Sequence, residues 1–467
     1  MQMRTLRGNA CHILTVAVIS LAAGCSRVER AELAPELKRA VQSAPRWVDR
    51  GEFGKRLWEQ ERQFYEARAY HPAWIDGDRP TRQLDELLEV LGDAHLHGLD
   101  PAAYGLDELK AARQKADEAW LGATFEAPQV PALDARLTYA FLAHAADLLG
   151  SRLSPRTIDS HWLATPKKVD LAKQLRAAID DNAVRKTLES LTPSHPQYKG
   201  LQAALARASK ESKNENEDVD RIAMNLERWR WVPRDLGERH ILVNVPRYEM
   251  QIIEGEKPVL AMRVIVGAPD TPTPLFSDNM TYVVFSPYWN IPESILREET
   301  LPRLSEDPDY LARNNMEVVG TSGEVVDVSS VDWDDEEATK GLRFRQAPGP
   351  DNALGLVKFI FPNHFSVYLH DTPGDALFNK EKRTLSHGCI RIEKPVALAQ
   401  YVLDGSRWDE PRIARAMHAK EEQTVKLKEA LPVHIGYWTA WVEEDGSVTF
   451  TDDPYGLDTK HAAARKQ

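Results

Sequence analysis

The sequence predicts an α+β protein: a helical N-terminal domain, then a β-rich domain interrupted by a helical insertion. Three observations predict it. Between 53 and 208, apolar residues recur every three or four places, as in TRQLDELLEVLGDAHLHGL and LDARLTYAFLAHAADLLGSRL. That is the period of an amphipathic helix. From 238 to 458 the period falls to two, as in HILVNVPRYEMQIIEGEKPVLAMRVIVG, the pattern of half-buried strands, with EGEKP as a hairpin turn. Between the two, SKESKNENEDVD offers almost nothing to bury, so 209–237 reads as a linker.

The bulk numbers agree with several folding units. The chain has 467 residues, 42% hydrophobic and 28% charged, enough for two or more cores at about 150 residues each. Its formal net charge of −12 argues against a nucleic-acid binder, which needs a cationic face to displace phosphate counterions.

Taken in order, the chain opens with a leader. MQMRTLRGNACHILTVAVISLAAGC has basic Arg4 and Arg7, an apolar run from Ile13 to Ala23, and small residues before Cys25. The run is too short for a membrane span and reads as a signal peptide over 1–24. Its end resembles the lipobox of bacterial lipoproteins, which implies lipidation of Cys25; the usual Leu three places earlier is Ala22 here. Residues 25–52 then read as a lipidated tether, 53–208 as the helical domain, 238–458 as the β-rich domain and 459–467 as a tail. Within the β-rich domain, 293–350 carries ESILREETLPRLSEDPDYLARNNMEVV and reads as a helical lid, its acidic run 332–337 a solvated loop.

Three cysteines remain to be placed. Cys11 leaves with the leader and Cys25 is acylated, so Cys389 has no partner within the chain. Exported proteins pair their cysteines or lack them, so a lone thiol is a buried bystander or a nucleophile. Its neighbours favour the nucleophile. In FSVYLHD, alternation puts Ser366, Tyr368 and His370 on one face, opposite Phe365, Val367 and Leu369. His370 ends that strand, where it would serve as base, with Asp371 holding its other nitrogen by side chain or carbonyl. In RTLSHGCIRI, Gly388 lets a substrate carbonyl approach the backbone, and the Gly388 and Cys389 N–H groups would form an oxyanion hole. An extended chain puts Arg391 on the face of Cys389, where a cation favours the thiolate and grips a carboxylate. His364, His370, His387 and Cys389 lack the paired spacing of a zinc site, so no metal and no cofactor is expected. Trp229, Trp231, Trp438 and Trp441 read as packing rather than sugar contacts.

At these residues a family resemblance enters. HDTPGDALFNKEKRTLSHGCIR resembles the L,D-transpeptidase (YkuD-type) signature: a histidine, a spacer, then Ser/Thr-His-Gly-Cys, an apolar residue and commonly Asn. NLERWRWVP, YWNIPESI, DPDYLARNNMEVV, APGPDNALGLVKFIFPN and YWTAWV resemble the large, lid-bearing (YcbB-like) subgroup. The resemblance covers about 225 to 455 and, more faintly, about 55 to 207. It implies a helical N-terminal scaffold domain and a β-rich L,D-transpeptidase catalytic domain with a helical lid insertion. By position it makes Cys389 the nucleophile, His370 the base, and Gly388 with Cys389 the oxyanion hole, while His387 and Ser386 shape the site. Arg391, Tyr368, Trp289, Asn290 and Tyr288 would line the substrate cleft. Two departures stand out: Arg391 replaces the common Asn, and only the polar linker stands where the subgroup carries a peptidoglycan-binding module.

The resemblance implies a reaction. The Cys389 thiolate attacks a tetrapeptide stem after its third residue, releases D-alanine, and the acyl-enzyme passes to an amine of a second stem, a 3-3 crosslink. Donor and acceptor stem peptides are the expected partners, with other cell-wall enzymes and a membrane reached through the lipid. The expected location is the periplasm-facing outer membrane of a Gram-negative envelope. Two alternatives stay open: an L,D-carboxypeptidase or amide hydrolase on stems or wall-attached lipoprotein, and a catalytically degenerate wall-binding lipoprotein.

Overall fold

The computed structural model describes residues 30–76, 79–120, 129–163, 169–211, 217–307, 309–328, 331, 340–403 and 407–465. The leader, Cys25 and the acidic run 332–337 lie outside the described residues. Among the described residues no helix is long and apolar enough to cross a membrane.

The N-terminal domain is built from α1 (Arg30–Ala40), α2 (Glu52–Ala67), α3 (Arg82–Gly92), α4 (Leu106–Trp120), α5 (Gln129–Leu148), α6 (Leu171–Asp180), α7 (Val184–Ser190) and α8 (Pro196–Glu211). Ala- and Leu-rich α5 is the centre, with Leu137, Phe141, Leu142 and Ala145 fully buried; a helix apolar on most of its sides can only be a core helix. Against it pack α1, α2 and α6. The tether expected over 25–52 is therefore corrected: α1 places Leu33, Leu37 and Val41 in the core, and Val48 follows. Burying a Leu of this kind contributes about 1.5–3 kcal/mol, enough to hold the segment down.

The expected linker 209–237 is also corrected. Residues Glu217–Arg230 form α9, whose Ile222, Leu226 and Trp229 pack on Tyr198, Leu201 and Leu205 of α8 and on Trp438 and Trp441. The acidic first turn suits the positive end of the helix dipole, and the apolar residues recur at helical spacing behind it. The expected tail is likewise a helix, Leu457–Arg465, with His461 fully buried against Glu227 of α9. All four tryptophans of 229, 231, 438 and 441 are buried.

Among the described residues the β-rich domain is built on a nine-stranded sheet, eight strands of which close into a ring. Its strands are β1 (Arg239–Asn244), β2 (Glu249–Glu254), β3 (Lys257–Gly267) and β4 (Ser277–Phe285) before the insertion. The insertion holds β5 (Trp289–Asn290), β6 (Met316–Val319), β7 (Val325–Val326) and β8 (Arg343–Gln346). After it come β9 (Val357–Ile360), β10 (Leu369–His370), β11 (Thr384–Ser386), β12 (Ile390–Ile392) and β13 (Gln423–Gly436). The order is β11-β3-β12-β10-β9-β4-β13-β1-β2, and β2 pairs with β3 to close the ring. Gly255, at φ +60°, makes the tight β2–β3 turn that the EGEKP stretch predicted. Alternate residues such as Ile241, Val264, Val283, Phe359, Leu369 and Ile390 fill the interior.

Among the described residues, the helices of the insertion lie in its first half. Glu293–Ile295, a π turn at Leu296–Thr300 and Leu301–Glu306 run on to Tyr310–Arg313. The rest is a four-stranded sheet, β5-β8-β6-β7, over a small core of its own: Ile291, Leu296, Leu311, Val318 and Phe344. Valines at 318, 319, 325 and 326 favour strands and pair with one another as β6 and β7, but β8, on the other side of β6, is remote in sequence.

Candidate active site

Strands β10 and β12 run parallel, with Leu369 opposite Ile390 and His370 opposite Arg391. The Ile390 N–H donates to the Tyr368 carbonyl at 3.1 Å, which extends that register back to Tyr368 and Cys389. Leu369, Ile390 and Ile392 point into the core, so Tyr368, His370, Cys389 and Arg391 share the opposite face.

The loop before β12 is fixed by hydrogen bonds. Ser386 Oγ donates to the Cys389 carbonyl at 2.5 Å and accepts from the Gly388 N–H at 3.2 Å. The Ser386 carbonyl accepts from Ala268 N at 2.8 Å and Thr271 Oγ1 at 3.2 Å, and the Gly388 carbonyl from Thr273 Oγ1 at 2.8 Å. Thr271 and Thr273 were missed by the sequence reading; the Pro- and Thr-rich APDTPTP after β3 was the available signal. Glycine at 388 is required by its backbone, at φ +108°, a region closed to most side chains. Space is not the constraint, because a Cβ there would meet nothing closer than 3.7 Å. The expected oxyanion hole is corrected on one donor: the Gly388 N–H is engaged by Ser386, while the Cys389 N–H makes no such bond among the described residues.

His370 is buried, with Nδ1 2.6 Å from the Asp371 carbonyl. A carbonyl only accepts, so Nδ1 carries the proton. The Asp371 carboxylate serves elsewhere, accepting from Leu356 N at 2.8 Å. Burial and the nearby Arg391 push His370 down to about 3, against the carbonyls of Asp371 and Leu354. Among the described residues no hydrogen bond joins His370 to Cys389. The thiol's neighbours are the Tyr368 hydroxyl and the Ser366 carbonyl, the latter 3.9 Å from Sγ. Burial raises the thiol above its ordinary value, although Tyr368 and Arg391 pull the other way. Arg391 does favour the thiolate, the direction expected of it, but desolvation outweighs one cation. Burial and the adjacent thiol raise the Tyr368 phenol too.

Arg391 has no carboxylate partner among the described residues, and its buried Nε makes no hydrogen bond. The obvious candidate, Glu393, is taken by Arg263 Nε at 2.9 Å. His387 turns the other way, its Nε2 2.7 Å from Glu299 Oε1 of the insertion. Tyr288, Trp289 and Asn290 sit at the root of the insertion. Arg345 stacks 4.1 Å over the Tyr288 ring, Trp289 packs on the insertion's core, and Asn290 pairs with Arg345 in β5–β8. None of the three bonds Cys389 or His370 among the described residues. Tyr288 connects through Lys358, the cross-strand neighbour of His370, which donates to the Tyr288 carbonyl at 3.3 Å. Lys358 and Glu299 carried no sequence motif.

Comparison with known proteins matches two stretches of the chain to family models. Residues 59–205 match the model described as a scaffold domain, and residues 238–413 that of the L,D-transpeptidase catalytic domain. A Haemophilus influenzae protein named "Putative L,D-transpeptidase" is 33% identical over 310 residues, 65% of this chain. The match spans 62% of that relative's own length. Among solved structures, an L,D-transpeptidase from Mycobacterium smegmatis is 12% identical over 42% of this chain and 58% of its own, with a TM-score of 0.20. L,D-transpeptidase 3 from Mycobacterium tuberculosis, in complex with a faropenem-derived adduct, is 14% identical over 43% and 60%, also at 0.20. Scores of 0.20 are too low to bear on the fold.

Proposed function

We propose that this chain, which carries an L,D-transpeptidase catalytic domain behind a scaffold domain, is a peptidoglycan L,D-transpeptidase acting through Cys389. The observation that supports it most is the shared face of Tyr368, His370, Cys389 and Arg391 on two parallel strands. A nucleophile, a base with a fixed tautomer and an unmatched guanidinium then converge on one substrate carbonyl.

The raised thiol and the lowered imidazole form a neutral pair at neutral pH. The thiol proton therefore moves as the C–S bond forms, toward His370 Nε2, and passes on to the departing D-alanine amine. The Cys389 N–H serves the developing oxyanion, and Arg391 holds a stem carboxylate. An amine of a second stem resolves the thioester and leaves a 3-3 crosslink. Export, lipidation of Cys25 and attachment to the outer membrane of a Gram-negative envelope belong to the same proposal, supported by the leader sequence.

Incubation with tetrapeptide muropeptides, read by mass spectrometry, tests it. Dimers linked 3-3 support transfer, and tripeptides alone would mean a carboxypeptidase. No product, and no mass adduct with meropenem, would leave a wall-binding lipoprotein.

A further inference from the structure

The insertion meets the nucleophile's loop through Glu299 and His387, 2.7 Å apart. His387 stands two residues before Cys389, and both side chains stay open to solvent, at 51% and 39% exposure. Glu299 lies on the π turn Leu296–Thr300, whose Leu296 and Thr300 are buried in the insertion; such turns re-aim side chains at functional sites. Charge differs between the insertion and the sheet. The described residues between 293 and 350 hold nine Asp and Glu against six Lys and Arg, whereas the sheet face that bears His370 carries Arg391 and Lys358.

The two substrates of the proposed reaction differ in the same sense. A donor stem brings carboxylates. An acceptor brings an ammonium group that must lose a proton before it can attack. His370 serves the thiol: it is buried and tied to the Asp371 carbonyl. We infer that Glu299 and His387 form the acceptor-amine site, Glu299 holding the ammonium and His387 taking its proton. The inference rests on the transpeptidase reading.

The step balances. His387 donates Nε2–H to Glu299, which leaves Nδ1 with a lone pair. The ammonium gives a proton to Nδ1, and the resulting imidazolium faces the Glu299 carboxylate. The neutral amine attacks the thioester carbon, the C–N bond forms and the C–S bond breaks. The amine's second proton ends on the Cys389 sulfur, and His387 returns its proton to solvent.

The test separates acylation from transfer. Wild type, Glu299→Gln and Glu299→Asp are compared for meropenem adduct formation, which needs no acceptor, and for the ratio of crosslinked to hydrolysed product as acceptor rises. Glu299→Gln should keep forming the adduct while its transfer-to-hydrolysis ratio falls about a hundredfold, the scale of acid–base assistance. Glu299→Asp should recover part of the ratio. An unchanged ratio in Glu299→Gln, or an equal fall in adduct and transfer, would overturn the inference and leave a structural latch. Adduct without transfer in the wild type would overturn it as well. No adduct on the wild type would instead sink the underlying transpeptidase reading, and this inference with it.

Discussion

The Tyr368 phenol stands beside the Cys389 thiol, one register step before the Leu369–Ile390 pair of two parallel strands. Burial raises the thiol's proton affinity, and the neighbouring Tyr368 lowers it. Tyr368→Phe should raise the thiol further and slow its alkylation by iodoacetamide at pH 7 about fivefold, since donation from the phenol to the thiolate would be worth roughly 1 kcal/mol. Alkylation rate against pH is the measurement. An unshifted profile would show that the phenol does not act on the thiol.

Arg391 acts on both sides of the reacting pair. It pulls the Cys389 thiol down, and it adds to the burial that holds His370 down at about 3. Arg391→Gln should therefore raise both, which NMR titration of His370 and thiol alkylation would read separately. Because the guanidinium is partly desolvated and its Nε unmatched, Arg391→Met should stabilise the fold by about 1 kcal/mol. KM for a tetrapeptide donor should rise in the same variant. Loss of stability with no change in KM would make Arg391 structural.

Removing the nucleophile should leave the fold intact. Cys389→Ala is expected to form no meropenem adduct by intact mass while keeping its melting temperature. His370→Ala should slow acylation by about 10²–10⁴-fold, the span of general-base assistance. An adduct on Cys389→Ala would place the nucleophile elsewhere.

Glu61 is a fully buried carboxyl with neither oxygen hydrogen-bonded, close to the buried Asp134. Burial, then Asp134, holds its pKa well above the ordinary carboxylate value. A folded pKa above the unfolded one stabilises fully below about pH 4.3 and is lost as pH rises toward the folded value. Glu61→Gln should therefore raise stability at pH 7 relative to pH 4, and Glu61→Leu should raise it by roughly 1–3 kcal/mol at pH 7. Denaturant unfolding at the two pH values decides; equal variant effects at both would show that Glu61 does not titrate on unfolding.

Much of the site was legible because alternation is local. FSVYLHD and GCIRI read as strands put Tyr368, His370, Cys389 and Arg391 on one polar face, and β10 and β12 have that arrangement. Helix α9 was legible too in its 222, 226 and 229 spacing, but the polar run before it drew the linker reading. The sheet in the insertion was not legible. Its β8 strand pairs with β6 some 27 residues earlier, Arg343 opposite Val319 and Gln346 opposite Met316, and no local period reports such a partner.

The sequence by itself determined the order of domains, the unpaired thiol and the residues that share its face, since covalent spacing and strand period set these before any packing. Tertiary structure decided what those residues are chemically. It half-buried Cys389 and buried His370 until desolvation outweighed Arg391 at the thiol, tied the Nδ1–H of the base to the Asp371 carbonyl by a hydrogen bond, and turned His387 toward Glu299. Desolvation and ion pairing depend on which distant segments come to lie over a group, and a linear spacing carries no record of that.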